Sequence, residues 1–234
     1  MTQIATTYID HMGSDLSVVN AARVSFGKNS DWELVSLPET NRYSTFDPKV
    51  KKLSDRDTKL IKYLAKYKHI SPFGHAFASF HIKAPIFVAR QLVKHKFLRW
   101  NEISRRYVDN ELEFYTPDVW RGRSADKKQG SEGEVKLGTL DDNIVAESPF
   151  EALCAYSVLL EAGVAPEQAR MVLPQSTMTE WYWSGSLDAF ADMCRLRCKE
   201  DTQYESRLVA DQVSTIMQDL YPVSWAALME GEIE

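Results

Sequence analysis

Cysteine is scarce in this chain: three among 234 residues, Cys154, Cys194 and Cys198. An odd number set in apolar or helical stretches argues against a disulfide framework. Packing as buried, inert thiols is the expected role for all three. Cys194 and Cys198 stand one helical turn apart, yet no second pair and no neighbouring histidine completes a metal site, so none is expected. Long apolar runs are lacking too; none approaches the roughly 20 residues that cross a bilayer. The opening MTQIATTYIDHMGSD has neither the basic nor the apolar block of a secretory leader, so a cytoplasmic protein is expected. No G-x-G-x-x-G occurs, which argues against a Rossmann-type dinucleotide site. Net positive charge is also missing: 28 Lys and Arg against 33 Asp and Glu leave −5. Bulk electrostatics therefore exclude a general nucleic-acid binder.

What remains is ordinary globular composition, 44% apolar and 26% charged, enough for a core. The expected fold is α+β: one helix-rich domain over residues 1–234 with a small, mainly antiparallel sheet. Leu60, Ile61 and Leu64 recur at helical spacing behind a Ser54 or Asp55 cap. Ser71-Pro72-Phe73-Gly74 signals a turn. Alternation from Ala76 to Ile82 predicts a half-buried strand with Ala78, Phe80 and Ile82 inward. Pro85 then suits the first turn of a helix running from Ile86 towards Lys96. Arg121 to Gly138 is polar, carries four glycines, and reads as a loop insertion. Beyond it, Pro149 is expected to open a helix, Leu187 to Glu200 to form another behind Ser186, and Val209, Val213, Ile216, Met217 and Leu220 to stripe a third, ended by Pro222.

Charge is concentrated in one place. Arg90, Lys94, Lys96, Arg99, Arg105 and Arg106 put six cations into seventeen residues, with His95 among them and only Glu102 opposing. In an acidic chain such a cluster repels itself until an anion or partner carboxylates neutralise it. On a helix from Ile86, Arg90 would stack one turn from Lys94, and Gln91 from His95. That edge would suit a phosphate and a polar ring. A solvated basic face is the plainer reading, and base interleaved with Phe97, Leu98 and Trp100 also suits single-stranded nucleic acid. The interleaved apolar residues require part of the segment to pack.

The segment Lys94-His95-Lys96-Phe97-Leu98-Arg99-Trp100-Asn101-Glu102-Ile103-Ser104-Arg105-Arg106-Tyr107 resembles the signature of flavin-dependent thymidylate synthases, the thymidylate synthase-complementing family. That signature runs Arg-His-Arg, seven residues, then Ser, with Asn-Glu before the Ser. Its approach from His81 to Gln91 is similar, as are Ala22-Arg23-Val24-Ser25, His69 to His75, Ala169-Arg170-Met171-Val172-Leu173-Pro174 and Leu196-Arg197. The signature arginines are Lys94 and Lys96 here, which keep charge but lose the planar fork. Gly74 stands where relatives often carry Glu, and Arg105 where a small residue is common.

The resemblance implies reductive methylation of dUMP to dTMP, with 5,10-methylenetetrahydrofolate as carbon donor and FAD, reduced by NADPH, as hydride source. It implies flavin contacts from Ser71, His95, Lys96 and Glu102. Nucleotide contacts follow from Gln91, Lys94, Glu102, Ile103, Ser104, Arg105, Arg106, Arg170 and Arg197. It places Ser104, His95 and Arg197 at the reacting centre, Ser104 as a substrate contact, since a serine nucleophile needs an activating base. It further implies a homotetramer with sites at subunit interfaces. Two other readings stay open: a related enzyme acting on dCMP or transferring hydroxymethyl, and a non-catalytic nucleotide- or RNA-binding module.

Overall fold

The computed structural model describes residues 3–36, 49–104, 106, 111–125 and 130–230. In chain order it contains β1 (Ala5–Met12), α1 (Asp15–Arg23), β2 (Glu33–Ser36), β3 (Lys49–Lys52), α2 (Asp55–Lys66), β4 (Phe77–Pro85), α3 (Ile86–Leu92), β5 (Arg99–Glu102), β6 (Arg121–Arg123), β7 (Ser131–Glu134), α4 (Thr139–Glu161), α5 (Pro166–Ala169), β8 (Met178–Ser186), α6 (Leu187–Arg197), α7 (Tyr204–Leu220) and α8 (Pro222–Met229). One four-stranded sheet has the order β1-β4-β8-β5, and β2-β3 and β6-β7 form two-stranded ribbons. The recorded pairings β2/β3, β5/β8 and β6/β7 are antiparallel. The architecture is α+β, as the pattern predicts. The chain divides into two compact units, one of residues 1–9, 79–184 and 193–213, the other of 10–78, 185–192 and 214–234.

In the first unit, β4 alternates as its sequence requires: Ala78, Phe80, Ile82 and Ala84 buried, Ser79, His81 and Lys83 partly exposed. That period of two sets one apolar face towards the core, where Phe80, Ile82, Val88, Leu92, Trp181 and Trp183 are buried. Across the ladder, Ser79 and Ser184 share a hydroxyl hydrogen bond of 2.9 Å. β5 joins β8 in the register Arg99↔Ser184, Trp100↔Trp183, Asn101↔Tyr182, Glu102↔Trp181. Trp100 stacks on Trp181 with centroids 4.3 Å apart and meets Trp183 edge-on at 5.9 Å, geometries that aromatic quadrupoles favour.

In the second unit, α1, α2 and α8 pack together around Val18, Val19, Ile61, Leu64 and Trp225. Ser54 caps α2, its hydroxyl accepting from the Asp57 amide at 3.1 Å. Buried Asp15 accepts from the Val223 and Ser224 amides at 3.0 and 2.8 Å, a carboxylate on the first turn of α8. The Tyr221 hydroxyl donates to the Phe77 carbonyl at 2.7 Å.

Four sequence expectations change. α3 stops at Leu92, so Lys94 and Lys96 lie beyond the helix and Arg90 and Lys94 do not stack on it. α4 begins at Thr139, not at Pro149, which lies inside it. Gly138 stands at the N-cap, and the acidic first turn, Asp141 and Asp142, complements the helix dipole well before the proline. Residues 121–138 contain the ribbon β6-β7 instead of coil throughout. Cys154 is exposed, whereas Cys194 is buried and Cys198 intermediate; burial pushes the Cys194 thiol well up, which keeps it protonated and inert.

Asp57 is nearly buried, and Arg23 grips its carboxylate together with Ser54 and Ser30. Burial alone would raise its pKa, but the bonds from Ser54, Arg23 and Ser30 outweigh it and hold the carboxyl below the usual value. Its contribution to stability is therefore present at neutral pH and lost as pH falls through and below the ordinary Asp value of about 3.9. Asp57→Asn leaves Arg23 without its charged partner and should cost about 3 kcal/mol in urea unfolding. An unchanged urea midpoint would refute that account.

Candidate active site

The signature begins where α3 ends. Beyond Leu92 the chain turns, with the His95 amide donating to the Leu92 carbonyl at 3.1 Å. Phe97 has φ +65°, a left-handed conformation that suits glycine and is unusual for a bulky side chain. Its ring is 81% exposed, so Phe97 does not pack as the interleaving suggests; Leu98 and Trp100 are partly buried instead. The bend reverses the chain into β5, which pairing with β8 holds straight.

His95 is half-buried, and its Nε2 accepts from Arg197 Nε at 3.0 Å. Desolvation, reinforced by the Arg197 charge, pushes its pKa down to about 4. The imidazole is thus neutral at physiological pH, with the acceptor at Nε2 and its proton on Nδ1. Burial likewise lowers the pKa of Arg197, which stays a cation. Gln91 is placed by Ser206, a fully buried residue whose hydroxyl donates to Gln91 Oε1. That bond fixes the amide orientation and leaves the Gln91 NH2 group as the donor for other partners.

A cavity of about 760 Å³ gathers residues from α3, β5 and its following loop, α5 with its following turn, and β8. Arg90, Glu102, Ile103, Ser104, Arg106 and Arg170 line it. Ile103 is anchored by its amide to the Glu180 carbonyl, 2.9 Å. The Ser104 hydroxyl accepts from the Arg106 amide and Nε at 3.4 and 3.3 Å. Among the described residues no imidazole or carboxylate hydrogen-bonds to it, as a nucleophile would need. Arg170 Nε donates to the Glu167 carbonyl at 3.3 Å. Glu102 is held at both oxygens: Thr179 Oγ1 donates to Oε1 at 2.7 Å and Trp100 Nε1 to Oε2 at 3.1 Å. Three guanidiniums around one fixed carboxylate suit an anion carried on a body that also hydrogen-bonds.

The structure therefore brings Glu102, Ile103, Ser104, Arg106 and Arg170 to one cavity. His95 and Arg197 form a pair of their own, and Gln91 is bound to Ser206. Lys94 and Lys96 are exposed and do not line that cavity. Arg105 lies outside the described residues. Arg90, which the basic cluster placed on an edge suited to phosphate but to which the resemblance gave no role, stands on the cavity wall. Glu167 and Thr179 carried no signal: an acid in a first helical turn and a threonine in a strand are commonplace.

Ser71 belongs to the second unit, where a separate cavity of about 760 Å³ is lined by Arg23, Lys28, Arg56, Lys59, His69 and Ser71, among others. The His69 ring stacks on Tyr63, also on this wall, at 6.0 Å and 16°. Cations beside aromatic faces match a ligand with an acidic linker and a planar ring. Among the described residues no group of three or more His, Cys, Asp or Glu could hold a metal ion, and no helix is long and apolar enough to cross a membrane.

A family model described as thymidylate synthase complementing protein matches residues 7–223. A flavin-dependent thymidylate synthase of Thermus thermophilus is 38% identical over 229 residues, covering 97% of this chain and 76% of that protein. The Kosmotoga olearia protein of the same name is 38% identical over 223 residues, 94% of this chain and 88% of that one. Among solved structures, the UMP/dUMP methylase PolB from Streptomyces cacaoi, bound with 5-Br dUMP, aligns with a TM-score of 0.80 at 29% identity, covering 98% of this chain and 96% of that chain.

The His95 environment makes a titration prediction. NMR should show the His95 ring titrating near 4, and near its ordinary value of about 6.5 in the unfolded chain. A base whose folded pKa is depressed favours the fold when neutral, so this contribution is full above about 6.5 and lost as pH falls towards 4. Arg197→Ala should raise the folded value only part of the way, because burial remains. A wild-type ring titrating near 6.5 would show that the imidazole is neither buried nor paired with Arg197.

Proposed function

The chain belongs to the thymidylate synthase complementing protein family, and on that footing we propose that it methylates dUMP to dTMP, with methylenetetrahydrofolate as carbon donor. The observation that carries this reading is the cavity that Arg90, Arg106 and Arg170 line together with a tethered Glu102. A phosphate monoester carries nearly two negative charges, and guanidiniums grip it through paired hydrogen bonds. Glu102 and Ser104 then supply an acceptor and a hydroxyl for the polar ring and sugar. Gln91, Lys94, Ile103, Arg105 and Arg197 complete the nucleotide contacts.

The hydride that completes the methyl group comes from bound FAD that NADPH has reduced. The donor set of the Ser71 cavity fits the acidic diphosphate and planar ring of such a group. His95, Lys96 and Glu102 are the remaining flavin contacts. His95, kept neutral with Nε2 engaged by Arg197, can donate a hydrogen bond from Nδ1 beside the reacting atoms without adding a charge. Ser104, His95 and Arg197 position the reacting groups; among the described residues Ser104 has no base to make it a nucleophile. The cysteines take no part: none lines this cavity.

We assign the working enzyme to the cytoplasm and to a homotetramer. The support for assembly is α4, which leaves Leu140 73%, Ile144 60%, Phe150 68% and Val158 62% exposed, an apolar load that monomers rarely show to water. Light scattering should give four times the 26.8 kDa chain mass; a monodisperse monomer at micromolar concentration would overturn this assignment.

The activity test is anaerobic tritium release from dUMP labelled at carbon 5, with methylenetetrahydrofolate, NADPH and FAD. Release only with all components, accompanied by dTMP, is the expected result. Turnover of dCMP in place of dUMP would transfer the reading to another pyrimidine, and a colourless protein silent with both would end it. Arg170→Ala should weaken dUMP binding at least tenfold, the value of about one charged hydrogen bond, whereas undiminished affinity would remove that residue from the phosphate.

A further inference from the structure

Both oxygens of Glu102 are bound by uncharged donors, although arginines share its cavity. Thr179 Oγ1 reaches Oε1 at 2.7 Å and Trp100 Nε1 reaches Oε2 at 3.1 Å, while Arg90 and Arg170 line the same cavity. Among the described residues, no ion pair joins Glu102 to either of these two arginines. That outcome goes against electrostatic preference, because a carboxylate near guanidiniums is drawn into forked, charge-assisted pairs. A pair of that kind would neutralise one arginine and shrink the charge available to an incoming anion.

We propose that Thr179 and Trp100 are positioning residues that hold the Glu102 carboxylate against the sheet and so keep Arg90 and Arg170 available to the phosphate of the substrate. This rests on the dUMP reading above. Each donor is set by the sheet. Thr179 is only 6% exposed on central strand β8, so its hydroxyl has little rotational freedom. Trp100 is two residues before Glu102 on β5, hence on the same face. Its stacking on Trp181 at 4.3 Å fixes the plane of its ring and the direction of its N–H. With both donors in place, Glu102 keeps its remaining lone pairs for a polar ring without swinging towards the cations.

The test compares Thr179→Val, which keeps shape and removes the donor, with Thr179→Ser, which keeps it, and adds Trp100→Phe, which retains the stack without the N–H. Equilibrium binding of dUMP and of inorganic phosphate is measured for each, with KM and kcat for dUMP alongside. Thr179→Val and Trp100→Phe should each weaken both ligands about tenfold and raise KM with kcat within about twofold, and Thr179→Ser should restore wild-type values. Unchanged affinity in both donor-less variants overturns the proposal. So does a serine variant no better than valine, or a loss confined to kcat. If the wild-type protein binds phosphate but not dUMP, the substrate reading fails while the tether is still judged on phosphate. Binding of neither overturns both.

Discussion

The pairing of β5 with β8 is the constraint on which the cavity depends. Four residue pairs in register place Glu102 opposite Trp181 and Trp100 opposite Trp183. A slip of one residue would turn Glu102 to the other face and expose the stacked indoles. The same ladder leaves Ile103 hydrogen-bonded to Glu180, so the loop carrying Ser104 and Arg106 departs from a fixed point. An antiparallel edge, secured by aromatic stacking, thus converts a stretch of mutually repelling charges into a wall of defined geometry.

Electrostatics in this region are managed by separating the groups. His95 is half-buried against a cation and kept neutral, so it adds nothing to the positive charge around it. Glu102, the single acid of the basic stretch, has both oxygens engaged by neutral dipoles. The result is a patch whose positive potential survives inside a chain of net charge −5. A field of this kind is local, and the low overall charge limits attraction to polyanions at large.

Much of this was legible beforehand, for physical reasons that differ from element to element. β4 announced itself because a half-buried strand must alternate, and Ala78, Phe80 and Ile82 did so. The stripe of α7 was equally plain, with Val209, Val213 and Met217 buried. Helix limits were less so. α3 stops at Leu92 with no glycine or proline to mark its end, and Pro149 is a start signal that α4 overruns. Of the candidate site, Glu102, Ser104, Arg106 and Arg170 were read from an ordered set of motifs. The partners that hold the site together, Thr179 and Ser206, were not: a hydroxyl acquires meaning only from what the fold sets 2.7 Å away.

The Asp15 carboxylate bears on how the chain reaches its native state. Its partners, the amides of Val223 and Ser224, are separated from it by 208 and 209 positions. During synthesis, α1 leaves the ribosome long before the helix it caps has been translated. The acid must wait in water while the intervening chain appears, and closing so long a loop is slow compared with local helix formation. Completion of that unit therefore waits until Val223 and Ser224 have been made, and its exposed apolar surface in the interval is the kind of surface that chaperones recognise.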